Sequence, residues 1–406
     1  GRVGRRETKN IMTERCSSSS KGEGGTFDLA VIGAGSAGFS AAIAGAELGA
    51  QVALIGRGVI GGTCVNEGCV PSKALIRASE SLHQAGAASR FSGIAAEARL
   101  VDWRALIAQK DDLVAGLRQA KYIDVVGEYN TIAYRQGLAL IEAEGIAVNG
   151  DMIQAGKIVV ATGSRPEPPP IPGIGDVPSL SSTTAMEIDR LPGSMLVIGG
   201  GDVGVELAQM FARSGVRFTI VCRSRLLPRA EPEIAQALTQ ILRDEGMEIL
   251  TGVTYGEIKP GDPGVGLSLA VGGEDRVVEA EKLLIAAGRA PNTAGLGLED
   301  AGVDLSKSGA VEVDEYLRTS NHDIFAAGDV TGRDMHVYMA AYGARLAATN
   351  ALNGGLRAYD ATAMPALTFT DPQAASVGLT EGRAREHGIE VKTSILPLEY
   401  VPRALA

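Results

Sequence analysis

Phe27-Asp28-Leu29-Ala30-Val31-Ile32-Gly33-Ala34-Gly35-Ser36-Ala37-Gly38 is a short apolar run feeding a G-x-G-x-x-G turn. The small-residue stretch Ser40 to Leu48 after it reads as a helix, and Gln51-Val52-Ala53-Leu54-Ile55 as a second strand. Strand, glycine turn, helix and strand within about thirty residues make a dinucleotide-binding unit whose pyrophosphate rests on the helix N-terminus. Gly33, Gly35 and Gly38 are therefore candidate cofactor-binding positions. The acid that commonly ends the second strand and holds a ribose hydroxyl is absent; Gly56 stands there, followed by Arg57.

The pattern recurs at Met195-Leu196-Val197-Ile198-Gly199-Gly200-Gly201-Asp202-Val203-Gly204, followed by a helix from Val205 and a strand over Arg217 to Val221. Gly199, Gly201 and Gly204 are the corresponding candidates. This second strand ends in Cys222-Arg223-Ser224-Arg225. A carboxylate there would select the free 2′-hydroxyl of NADH, whereas arginines suit the 2′-phosphate of NADPH. Arg223 and Arg225 are accordingly assigned to NADPH, against the alternative that they are solvated surface charge.

Between the two units lies Gly61-Gly62-Thr63-Cys64-Val65-Asn66-Glu67-Gly68-Cys69-Val70-Pro71-Ser72-Lys73. Pro71 and the helix-favouring residues after it place Cys69 at or just before a helix N-terminus, where partial positive charge favours thiolate. The glycines allow a tight turn and close approach of a flat cofactor. A structural zinc site usually needs four ligands in paired motifs. The chain's other cysteines, Cys16 and Cys222, lie in no such motif, and its four histidines are scattered. Cys64 and Cys69 therefore read as a pair cycling between disulfide and dithiol. Glu67 lies between them; a carboxylate close to a thiolate would raise its pKa, and the alternative is that this side chain simply points to water.

Two nucleotide units flanking a redox pair imply an electron path from nicotinamide to sulfur, and a flavin is the usual two-electron relay. Ile324 to Asp329 reads as a short strand ending in Gly-Asp, with Asp329 against a flavin side chain. Ala161-Thr162-Gly163-Ser164-Arg165-Pro166 and Ala286-Ala287-Gly288-Arg289-Ala290-Pro291 look like the crossings between the two nucleotide domains.

With these motifs in this order, the chain from about Phe27 onward resembles the flavoprotein disulfide reductases with two dinucleotide-binding domains. Within that group it is most similar to the mercuric reductases, on Gly62 to Lys73, Thr362 to Ala366, Phe369 to Gln373 and Val401 to Ala406. The resemblance implies an α/β fold: two Rossmann-like domains, for FAD and NADPH, and the start of an α+β dimerisation domain. It implies reduction of Hg(II), delivered as thiol complexes, to elemental mercury. It places Cys69 against the flavin, Cys64 toward substrate and Tyr122 near the metal pocket. Lys73 would pair with Glu206 where hydride crosses. Gly62, Thr63, Lys73, Gly163 and Asp329 would belong to the FAD site. Soft Hg(II) prefers thiolates over oxygen or nitrogen ligands, which suits Cys64 and Cys69. The alternatives are a dihydrolipoamide dehydrogenase, a glutathione-type disulfide reductase, and a truncated flavin-binding protein without turnover.

A formal charge of −10 argues against nucleic-acid and membrane-surface binding, and the chain holds only 4 cysteines, too few for a secreted disulfide scaffold. No stretch is long and apolar enough to span a bilayer, so a cytoplasmic enzyme is expected. The polar segment 1–25 is expected to be a disordered tail without an export signal. The expected domains are 26–164 with 291–360 for FAD, 165–290 for NADPH, and 361–406 as an incomplete dimerisation domain. Val101 to Tyr122 is expected to be one amphipathic helix with Trp103 in the core. The resemblance implies a homodimer; if the interface domain stops at Ala406, weak or absent turnover is expected.

Overall fold

The structure is a computed structural model that describes residues 25–355 and 357–405. Cys16 and all of the expected tail except Gly25 lie outside the described residues.

The first sheet is built on Thr26–Ile32, which pairs in parallel with Val52–Gly56 on one side and with Asp151–Val160 on the other. Ile132–Gln136 extends the first edge. Asp151–Val160 is long because it serves two partners. Its first residues pair antiparallel with Gly145–Val148, and its last residues pair in parallel with Ile324–Ala326. The carboxyl ends of Thr26–Ile32, Asp151–Val160 and Ile324–Ala326 therefore share one edge of the sheet. Open parallel sheets bind ligands at such an edge. Gly33, Ala161 and Ala327 begin the loops that leave it.

Helix α1 (Ser36–Glu47) lies on this sheet. Its face of Ala37, Ala41 and Ala44 packs with Ala340, Ala344, Ala347, Ala348 and Ala351 in one core cluster. Small side chains let the two helices approach closely while filling the space to ordinary density. Helices α2 (Gly62–Asn66), α3 (Cys69–Ala87) and α4 (Trp103–Arg118) follow. The expected single helix to Tyr122 is interrupted: Gln119–Ile123 is a π turn, leading into α5 (Asp124–Glu128). Trp103 is 7% exposed, and its indole N–H donates to Ile188 O at 2.8 Å.

After the short α6 (Ser182–Ala185), the second sheet runs Glu248–Thr251, Arg217–Cys222, Ser194–Ile198, Lys282–Ile285, Ser179–Leu180, all parallel. Helix α7 (Asp202–Arg213) leaves Ser194–Ile198 through the second glycine turn, and α8 (Pro232–Asp244) covers the sheet. A three-stranded antiparallel sheet from Thr254 to Ala280 packs against it. The two crossings pair with each other: Ser164–Pro166 and Arg289–Pro291 form an antiparallel ribbon. Helix α9 (Val337–Asn353) ends at Gly354, whose φ of 66° suits the left-handed helix stop. The final described segment holds a hairpin of Pro365–Thr368 and Ala374–Val377 and the helix α10 (Glu381–Glu386). Among the described residues no helix is long and apolar enough to cross a membrane.

Candidate active site

The first glycine turn is a cradle with no room for a side chain at its first and last glycines. Gly33 has φ +125°, and a Cβ there would lie 2.1 Å from Ala161 O. A Cβ on Gly38 would lie 1.6 Å from Gly33 O. Gly35, which precedes α1, offers no side-chain cap, and the first turn of α1 carries no acid. Its N–H groups are therefore available to an anion, with the helix dipole favouring negative charge. These features fit the pyrophosphate of a bound dinucleotide.

The redox turn is zipped to this cradle by backbone alone. Gly61 N–H donates to Ala34 O at 2.8 Å. A Cβ on Gly62, whose φ is +65°, would come within 2.5 Å of Gly35 Cα. Gly62 is thus required by the close approach of two chain segments, and Gly61 by its φ of +101°, with Val65 Cγ1 2.5 Å from where a Cβ would lie. Thr63, in the first turn of α2, is exposed. The position without an acid is explained by packing: a Cβ on Gly56 would lie 2.7 Å from the Ala34 Cβ and 3.0 Å from the Tyr134 hydroxyl.

Cys64 lies in α2 and Cys69 is the first residue of α3; both are free and partly buried. A hydrogen bond from the Cys64 thiol brings Cys69 down to about 7, helped by the Lys73 ammonium and opposed by burial and by Glu206. Donating to Cys69, together with burial, pushes Cys64 well above the ordinary thiol range. The pair therefore keeps one proton on Cys64 while Cys69 is the thiolate. Of the two readings of Glu67, the structure favours the side chain that points to water. It is exposed, and the charges that act on Cys69 are those of Lys73 and Glu206; the Glu67 carboxylate instead acts on the Arg289 guanidinium.

Because Cys69 titrates from a lowered value, its thiolate is present above about pH 7 and is lost as pH falls through it. A pH titration of the reduced protein, following thiolate ultraviolet absorbance, is expected to show an ionisation near 7 that Cys69→Ser removes. Lys73→Met is expected to move that midpoint upward.

Lys73 Nζ lies 2.6 Å from Glu206 Oε2 and 4.7 Å from the centre of the Phe369 ring. The Phe369 N–H donates to Glu206 Oε1 at 2.9 Å. Helical spacing puts Asp202, Glu206, Gln209 and Arg213 on one stripe of α7. Asp202 accepts from the Thr368 hydroxyl at 2.6 Å, and Gln209 exchanges two 2.8 Å bonds with the Asp371 backbone. Arg213 reaches the Asp371 carboxylate at 3.0 Å. This stripe stitches the segment 368–371 to the second nucleotide unit and completes the surroundings of Lys73.

Asp329 follows Gly328 at the ligand edge of the first sheet. The Ser164 hydroxyl donates to its carboxylate at 2.7 Å, and Arg289 Nε donates to the Ser164 oxygen at 2.7 Å. Burial lowers the Arg289 pKa, while Asp329, Glu67 and Cys69 oppose that shift. The sequence marked Arg289 only as part of a crossing; the paired crossings bring its charge to the sulfurs. Gly163, with φ +71° and open space around its missing Cβ, accepts from the Asn292 N–H at 2.9 Å. Tyr122 shares a 3.2 Å hydrogen bond with the Ser36 hydroxyl and packs edge-on against Phe39 at 4.7 Å. Burial raises its pKa, and the charges of Cys64 and Cys69 add to that rise.

At the second glycine turn, Gly199 has φ +129° and a Cβ there would meet Ala286 O at 2.2 Å; a Cβ on Gly204 would meet Gly199 O at 2.4 Å. Gly201 differs, with nothing within 4 Å of its missing Cβ. Arg225 is engaged in its own loop, donating to Leu227 O at 3.2 Å, Pro228 O at 3.2 Å and Ala230 O at 2.8 Å. Arg223 and Arg229 are the exposed guanidinium groups of that loop.

Residues 27–347 match the pattern of the pyridine nucleotide-disulphide oxidoreductases, and residues 364–406 match that family's dimerisation domain. The chain belongs to this family. Mercuric reductase of Staphylococcus aureus is 44% identical over 382 residues, covering 94% of this chain and 70% of that protein. Mercuric reductase of Streptomyces lividans is 47% identical over 388 residues, covering 93% and 81%. The HOCl-induced flavoprotein disulfide reductase RclA of Escherichia coli, at 32% identity, superposes with a TM-score of 0.79 over 93% of this chain and 83% of its own. As a member of the family the chain is an α/β flavoprotein oxidoreductase that uses a pyridine nucleotide.

Proposed function

We propose that this enzyme uses FAD and NADPH to reduce Hg(II), bound by Cys64 and Cys69, to elemental mercury. The carrying observation is a pair of free, partly buried cysteines, of which Cys69 begins a helix that also carries Lys73 and its ion pair to Glu206. The similarity to mercuric reductases supports mercury as the acceptor.

Gly33, Gly35, Gly38, Gly62, Thr63, Lys73, Gly163 and Asp329 would hold FAD. Gly199, Gly201, Gly204 and Arg223 would hold NADPH, with Arg229 as the second guanidinium in place of Arg225. Bound FAD supplies a carrier that takes a hydride from nicotinamide and releases an electron pair. The Cys69 thiolate is ready to bind a soft metal at neutral pH. Cys64 gives up its proton as it becomes the second ligand, since metal binding to a thiol releases a proton. Lys73 holds negative charge near Cys69, and Glu206 keeps the ammonium in place. The overall change balances as Hg(SR)2 + NADPH + H⁺ → Hg⁰ + NADP⁺ + 2 RSH. The two electrons break both Hg–S bonds and leave on the metal, and the two sulfurs of the thiol ligand take protons. Residues 26–164 with 291–360, 165–290 and 361–406 would be the FAD, NADPH and dimerisation units, and the working form a cytoplasmic homodimer.

The test measures NADPH oxidation with Hg(II)–thiol complexes, lipoamide and oxidised glutathione side by side. The proposal expects turnover with mercury alone; comparable turnover with either disulfide, or none with mercury, would refute it. Arg223→Ala is expected to raise KM for NADPH roughly tenfold and leave KM for NADH nearly unchanged. Equal effects on both cofactors would remove Arg223 from the 2′-phosphate site.

A further inference from the structure

Helix α2, which carries Cys64, is one turn of 5 residues between glycines. A single turn cannot hold itself, because fixing its backbone costs more than its few hydrogen bonds return. The supports are on the outside, and they converge on Asn66.

Asn66 Nδ2 donates to Ile60 O at 3.0 Å and to Gly62 O at 2.9 Å, closing the turn on both sides of Gly61. Its Oδ1 accepts from Arg118 Nη1 at 3.0 Å. A carboxamide could present either end, but a guanidinium only donates. Arg118 therefore dictates which way the amide faces, and only that way puts its two hydrogens on the turn's carbonyls. Arg118 ends α4, whose other end is anchored to the second nucleotide unit. Trp103 Nε1 donates to Ile188 O at 2.8 Å, Arg104 Nε to Asp189 O at 3.3 Å, and Lys110 Nζ to Met186 O at 3.2 Å. Lys110 is 5% exposed, so this anchor is built into the interior. The π turn that follows delivers Tyr122 beside Gly61, where a Cβ would lie 3.2 Å from the Tyr122 ring.

We propose that Arg118 is a positioning residue for the redox turn: acting through Asn66, it holds α2, and with it Cys64, in place beside Cys69. Helix α4 thereby sets the sulfur pair relative to the nicotinamide unit. The inference rests on reading Cys64 and Cys69 as the redox pair, but not on mercury being the acceptor.

The test uses the full-length FAD-loaded enzyme with Arg118→Met, Arg118→Lys and Asn66→Asp. Asn66→Asp keeps a partner for Arg118 but has no hydrogens for Ile60 O and Gly62 O. Thiolate absorbance is titrated in the reduced proteins, and Hg(II)-dependent NADPH oxidation is measured alongside. Arg118→Met and Asn66→Asp are expected to keep wild-type FAD content. In both, the Cys69 thiolate fraction at pH 7 should fall roughly fivefold, toward that of an ordinary cysteine. Turnover should slow about tenfold, as displacement of a reacting group does. Arg118→Lys, still a donor, should stay within about twofold of wild type. An unchanged thiolate titration in Asn66→Asp overturns the proposal, as does a lysine variant no better than methionine. If Arg118→Met does not fold, Asn66→Asp and Arg118→Lys decide by the same criteria. If the thiolate shift appears but the wild type shows no mercury turnover, the acceptor assignment falls and the positioning role stands.

Discussion

Replacing Cys69 with serine is expected to abolish Hg(II)-dependent NADPH oxidation, with a loss on the order of 10³-fold or more. A serine hydroxyl does not ionise near neutral pH and is a poor ligand for a soft metal. It also leaves Lys73 without the sulfur anion beside it. Cys64→Ser is expected to be similarly severe for a different reason. The remaining Cys69 thiolate loses the thiol hydrogen bond that most lowers its pKa, and the metal loses its second ligand. Stopped-flow absorbance separates the half-reactions. Both variants should still bleach the flavin with NADPH, since the glycine cradles are untouched, while reoxidation by Hg(II)–thiol complexes disappears. Turnover within tenfold of wild type in either variant would take the sulfur pair out of the mechanism.

Gly38→Ala and Gly201→Ala are expected to fail in opposite ways. The alanine Cβ at 38 would lie 1.6 Å from the backbone oxygen of Gly33, so α1 must move off the sheet. Neither contacting group is a flexible side-chain end. The cost is expected to be about 3 kcal/mol or more, with FAD lost on purification. At Gly201 the backbone is extended, with φ −82° and ψ 179°, and nothing stands within 4 Å of the new methyl. Stability should change by less than about 1 kcal/mol. The methyl does narrow the approach to the N-terminus of α7, and NADPH affinity is expected to fall roughly tenfold. Thermal denaturation with flavin content measures the first effect, and NADPH titration measures the second. A stable, flavin-replete Gly38→Ala protein would contradict the cradle geometry. Unchanged NADPH affinity in Gly201→Ala would show that the open face of this turn is not the cofactor's.

The glycine turns, the cysteine spacing and the proline that opens α3 were legible because each is local. Positive φ at Gly33 and Gly199, and the start of a helix at Cys69, follow from neighbouring residues. The Lys73–Glu206 pair was reached through family resemblance, since 133 positions separate its members. Other features had no local signal. Arg225 looked like a phosphate ligand until the fold of 225–230 turned it onto three carbonyls. Glu67 looked close to the thiolate because it is close in sequence, yet its carboxylate acts on Arg289. The helix expected to run unbroken to Tyr122 carries a π turn instead, where the chain must meet Ser36 and Gly61.

The redox turn therefore divides into two parts. Its residues by themselves determined that Cys69 lies at the start of a helix, five positions after Cys64 and close to a glycine-rich nucleotide cradle. That much depends on backbone torsions and spacing over a dozen positions. Which charged and polar groups surround the two sulfurs was decided only by tertiary structure. Lys73 is held by Glu206, and Asn66 of α2 by Arg118. Those partners come from α7 and α4, far along the chain. Coulomb and hydrogen-bond energies fall off within a few ångströms, so only the packing of these helices could place their charges and donors at the pair.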